Sequence, residues 1–90
     1  MSDKVEALRK VLREVLAPLI EADGGELYLV ELDKKRLLVH LAGTLSGSPA
    51  CDVVARRVVA PAVRKVHPKI ELVVTNGWRV PKGAERLSPG

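Results

Sequence analysis

Val5, Leu8, Leu12, Val15, Leu16 and Leu19 recur at intervals of three and four residues, while Glu6, Arg9, Lys10, Arg13 and Glu14 occupy the positions between them. That period predicts an amphipathic first helix. Asp3 followed by Glu6 resembles a capping box, and Asp23-Gly24-Gly25 supplies glycines able to leave a helix through a positive φ, so its limits fall near residues 3 and 23. Pro18 lies inside this span, where it removes one backbone donor and crowds the preceding turn, predicting a bend or restart. From Glu26 to Leu32 and from Arg36 to Ala42 the residues suit strands, with Asp33-Lys34-Lys35 between them, which predicts an antiparallel hairpin. In the second strand Leu37, Val39 and Leu41 share one face, and Arg36, Leu38, His40 and Ala42 the other, as when one face alone is fully buried.

After a hydroxyl-rich loop, Gly43 to Ser48, the Ser48-Pro49 pair suits a helix start. Val54, Val58 and Ala62 form one series along this second helix and Cys51, Ala55, Val59, Val63 and Val66 a neighbouring one, leaving Arg56, Arg57, Arg64 and Lys65 outward. Pro61 predicts a kink, His67-Pro68 an end, and Ile70 to Thr75 a short strand reached by a crossover. The predicted fold is a small single α/β domain, helix-strand-strand-helix-strand. A mixed three-stranded sheet is covered by two helices over residues 1–75, with residues 76–90 as a tail whose large anchor is Trp78.

Composition narrows the choices. Ninety residues suit one compact domain. Valine and leucine account for 27 of them, and Tyr28 and Trp78 are the only aromatics, so the expected core is aliphatic, which counts against an aromatic platform for bases. Residues 1–45 carry seven basic and eight acidic side chains, residues 46–90 eight and three, so the net +4 arises in the second half. A basic half steers acidic partners; nucleic acid is not the expected one. The opening residues show no export signal, and the longest apolar run, Val15 to Ile20, contains Pro18, so the reading is cytoplasmic with no membrane span.

The one cysteine, Cys51, excludes an intrachain disulfide, and with His40 and His67 it does not fill a structural zinc site. Glu21, Asp23 and Glu26 surround the double glycine without calcium-loop spacing and read as solvated acids of a turn. The Gly43–Ser48 loop outlines an anion cradle but lacks the lysine of a phosphate loop. Ser46 and Ser48 with His40 and Asp33 or Asp52 fix no triad spacing, so no enzyme is expected. His40 reads as a strand-surface residue and His67 as a helix-end residue. Arg56, Arg57, Arg64 and Lys65 form a basic stripe, either a solvated face or a dock for an acidic partner, and Trp78 either covers the core's end or anchors an interface.

The segment Pro18-Leu19-Ile20-Glu21-Ala22-Asp23-Gly24-Gly25-Glu26 resembles the proline-to-double-glycine segment of NifU-like C-terminal domains, and the hairpin, the Gly43 loop, Pro49 and Pro68 follow at matching spacings. The resemblance runs from about Val5 to Thr75. It implies a role as scaffold or carrier in iron–sulfur cluster assembly, with assembly or acceptor proteins as partners. In that family two chains pool Cys-x-x-Cys thiolates to hold a cluster at a dimer interface. The matching positions here are Leu45 and Ser48, so the family's ligand pair is degenerate, and iron binding would need other ligands. Cys51, three residues further on, lies near a helix start that favours thiolate, or packs as a small core residue. As a ligand it would need help from His40, Asp52, a small thiol or a partner. Without the shared cluster, a monomer or weak homodimer is expected. The alternative reading is a non-metal interaction module on the same fold, docking an acidic partner through the basic second helix.

Overall fold

In the computed structural model of the chain the described residues are 3–22, 24–43 and 53–87. The first helix, α1, is α-helical over Asp3–Val11, widens into a π-helical segment at Leu12–Leu16, and returns to α-helix over Ala17–Ala22. Pro18 explains the widening. In a uniform α-helix its ring would press on the carbonyl of Glu14 and its nitrogen could not donate. Here Ala17 instead donates its N–H to the Leu12 carbonyl, five residues back, so one extra residue is taken up before the proline and the helix continues beyond it. The second helix, α2, repeats the device. Its described part starts at Val53, is π-helical over Ala55–Val59 and α-helical over Ala60–Val66, and Ala60 donates to the Ala55 carbonyl just ahead of Pro61. A wide turn thus precedes each of the two prolines at which the sequence predicts a bend or kink.

The strands β1 (Gly25–Leu32) and β2 (Arg36–Gly43) form the expected antiparallel hairpin. Its register shifts between Leu29 and Glu31, a bulge that keeps Leu32 opposite Leu37 on the core side. Asp33 starts the turn. Its Oδ1 accepts the backbone N–H groups of Lys35 and Arg36, each at 2.8 Å, and its own N–H donates to the Arg36 carbonyl at 2.9 Å. Those two donors, that of Lys35 first, hold the carboxyl below its ordinary range. A depressed carboxyl contributes stability that is complete above its unfolded value near 3.8 and is lost as pH falls through the lower folded value. Asp33→Ala is therefore expected to be less stable than the parent at neutral pH, with the difference shrinking in acid below pH 3.8. Unfolding midpoints of both chains across an acid titration check this; a difference independent of pH would show that the charge plays no part.

Among the described residues the sheet has four strands, not three. Its order is β3-β2-β1-β4, with β3 (Glu71–Asn76) parallel to β2 and β4 (Glu85–Leu87) antiparallel to β1. The fourth strand comes from residues that the sequence pattern assigns to a tail, and Leu87, opposite Leu27, is only 2% exposed. Three residues flanked by Gly83 and charged side chains are too short for an alternating pattern to announce a strand. Two exposed ion pairs accompany it, Arg9 to Glu85 at 3.8 Å and Arg86 to Glu21 at 3.4 Å. Such pairs contribute about 0–1 kcal/mol each, so the buried leucine is the stronger tie.

The core lies between the helices and one sheet face. Leu8, Leu12 and Leu16 of α1 and Val59 and Val63 of α2 meet Leu27, Leu37, Val39 and Leu41 of the hairpin, all fully buried. It contains no aromatic ring, as the composition requires. The opposite sheet face is not simply solvated, for His40 and Ala42 are each only 4% exposed, which corrects the reading of His40 as a surface residue. The end of β3 and the residue after it account for His40: its Nε2–H donates to the Gly77 carbonyl at 3.1 Å, and its Nδ1 pairs with the Thr75 hydroxyl at 2.8 Å. The same segment hydrogen-bonds back to the sheet, from the Gly77 N–H to the Leu41 carbonyl at 3.2 Å.

Candidate functional site

The end of the molecule that matters for the resemblance is built from glycine backbone. Gly24 leaves α1 with φ +83°, its N–H donating to the Glu21 carbonyl at 2.9 Å, as the double glycine predicts. Gly25 opens β1 directly opposite Gly43, the last residue of β2. Gly43 has φ +73°, and a Cβ there would come within 2.6 Å of the Gly24 carbonyl oxygen. Backbone therefore packs on backbone at the point where the chain leaves the sheet toward α2. Leu45, Ser48 and Cys51, together with Ser46, Pro49 and Asp52, lie in residues 44–52, outside the described residues, as does Asp23.

The remaining candidates do not converge on one centre. Among the described residues there is no group of three or more His, Cys, Asp or Glu side chains placed to hold a metal ion. Both ring nitrogens of His40 are engaged in bracing the Thr75–Gly77 segment. His67 ends α2, its backbone N–H donating to Val63 at 2.9 Å and its Nε2–H to the Lys34 carbonyl at 2.9 Å, while its buried Nδ1 is unpartnered. It ties the helix end to the hairpin turn. Glu21 reaches Arg86, and Glu26 accepts the Tyr28 hydroxyl at 2.8 Å, so these acids beside the double glycine serve separate partners. The Glu26 bond raises the Tyr28 pKa, because ionising the phenol would forfeit the proton it shares with a carboxylate.

The basic stripe is divided by the fold. Arg56, Arg57, Arg64 and Lys65 are all exposed, but only Arg57 and Lys65 line the groove between α2 and α1. Trp78 is 80% exposed and is not part of that groove, so it does not cap the core. The other wall holds Val15 and Leu19, which the helical period placed with the core but which are 48% and 53% exposed. Sequence reasoning missed this groove. The available signal was the width of the apolar series on α1, where Val15 beside Leu16 and Leu19 beside Ile20 give two side chains at levels where the core takes one.

These features define a class: a two-helix α/β domain with a mixed sheet, whose double glycine and β2-end glycine pack together where the chain leaves the sheet. The family model described as the NifU-like domain matches residues 8–74, and the chain belongs to that family. No curated protein and no solved structure is similar enough to the chain to count as a match. Membership gives the chain a general role in iron–sulfur cluster assembly. Among the described residues no helix is long and apolar enough to cross a membrane.

Proposed function

We propose that this chain is an atypical NifU-like protein, serving iron–sulfur cluster assembly or transfer without holding a cluster through the family's ligand pair. The observation that carries this is the donor set. Leu45 and Ser48 occupy the positions that the resemblance assigns to thiolates, and Cys51 is the chain's one thiol. Leucine has no lone pair, and a serine hydroxyl is a hard donor that ionises far less readily than a thiol. A symmetric pair of chains would bring two thiols, half of the usual four-thiolate set. The residues present do not fit a cluster held by this chain alone, so no step of its chemistry is routed through one. Its work is binding rather than catalysis: it engages assembly or acceptor proteins in the cytoplasm, as a monomer or weak homodimer, and leaves ligation to them.

Anaerobic reconstitution with iron and sulfide, followed by iron and sulfide counting on species separated by size exclusion, tests this reading. The expected result is a chain that elutes without stoichiometric iron yet still binds an apo-acceptor protein. Stoichiometric iron and sulfide on a dimer, lost in Cys51→Ala, would instead make Cys51 a ligand and the chain a cluster carrier with non-family ligands.

A further inference from the structure

The two helices leave a groove of about 620 Å³ between them, walled by Val11, Val15 and Leu19 on α1 and by Val58, Ala62 and Val66 on α2. Both walls follow an i, i+4 spacing, so the groove runs along the helices for roughly two turns, about 12 Å. Val15 and Leu19 stand one turn apart and about half exposed, which makes a continuous apolar strip rather than scattered surface leucines. Among the described residues the only charged side chains in the lining are Arg57 and Lys65, both on the α2 wall, and neither has a carboxylate partner there.

We propose that this groove docks one amphipathic helix of a protein partner, with apolar side chains seated on the Val15–Leu19 strip and two carboxylates, seven or eight residues apart, meeting Arg57 and Lys65. The charge argues for that occupant. A second copy of the chain joined groove to groove about a two-fold axis would bring two pairs of cations together, with no acid among the described lining residues to answer them. An anionic membrane would satisfy the cations, but a flat surface does not reach apolar walls recessed between two helices. A helix of about 10 Å diameter fits such a trough, and its apolar face and flanking acids answer both features of the lining. This deepens the assembly role by naming the surface on which an assembly or acceptor protein sits, and it rests on that reading for the partner's class alone.

The probe is a synthetic helical peptide of about 18 residues, with leucines at i, i+3, i+4 and i+7 and two glutamates eight positions apart, compared with a twin bearing lysines in place of the glutamates. Fluorescence anisotropy with the full chain is expected to show the acidic peptide binding about tenfold or more tightly than its twin. Reversing both cations, R57E with K65E, is expected to invert that preference. L19D is expected to weaken both peptides about tenfold, while its thermal melt stays close to the parent's because the side chain is already half exposed. Equal affinity for the two peptides overturns the proposal, as does a preference unchanged by charge reversal or no binding of either peptide at roughly 1 mM. Self-association abolished by L19D in sedimentation would assign the groove to a second copy. Binding to vesicles of anionic lipid that displaces the acidic peptide would assign it to a membrane. Iron retention is read separately, so a failed groove and a failed account of the cluster ligands are told apart.

Discussion

Leu87→Ala is expected to cost about 2–4 kcal/mol, whereas Trp78→Ala, the loss of a far larger side chain nine residues earlier, is expected to stay within about 0.5 kcal/mol. Leu87 is 2% exposed, packs in the common core cluster and stands opposite Leu27 on β1, so truncation removes hydrocarbon from a filled space and leaves a cavity. Trp78 is 80% exposed, and its removal forfeits little burial. Urea midpoints of the two variants decide the matter. Equal and small effects would mean that β4 does not belong to the cooperative unit, and a large effect at Trp78 would mean that the ring packs where the structure leaves it in solvent.

Gly43→Ala is expected to be the most damaging glycine substitution, at roughly 2–4 kcal/mol, because two costs fall on one residue. Its φ of +73° disfavours any side chain, and the new methyl would press on the Gly24 carbonyl oxygen at 2.6 Å, a backbone atom with no rotamer to escape into. Gly83 provides the control. It has φ +85°, but a methyl there would meet nothing within 4 Å, so Gly83→Ala bears the conformational cost alone, roughly 1 kcal/mol. Denaturant midpoints of the two variants check the contrast; equal losses would show that the contact between Gly43 and Gly24 relaxes freely. Because Gly43 is where the chain departs toward Leu45 and Ser48, the same variant would also shift the origin of that loop.

Much of the fold is legible in the sequence because local chemistry and global packing agree. Asp33 marks the hairpin turn with its own carboxylate, Gly24 marks the end of α1, and Leu37, Val39 and Leu41 point to the core through strict alternation. The failures have physical reasons. Val15 and Leu19 look like core residues on a 3.6-residue period, but the wide turn at Leu12–Leu16 takes up an extra residue and advances the helix face by about 100°. No period counted in the chain contains that step. His40 looks like a surface residue because alternation describes a strand in its own sheet, not the segment around Gly77 that returns over it. Division of the basic stripe was equally hidden, since whether Arg57 or Arg64 borders the groove depends on where α1 lies against α2. The proposal that Leu45 and Ser48 stand at the family's ligand positions, by contrast, is drawn from residue types and rests on the sequence alone.

The position of β4 also governs the order in which the molecule can assemble. The β1–β2 pair closes through a turn of a few residues, a short loop with little entropy to lose, while Leu27 and Leu87 are sixty residues apart. The hairpin can form as soon as its residues are available, but its free β1 edge waits for the residues of β4 to follow. Arg9 of α1 and Glu85 of β4, far apart in sequence, then meet beside that contact. β4 thus acts as a latch that closes late, which leaves the β1 edge open in any form where β4 has not yet docked.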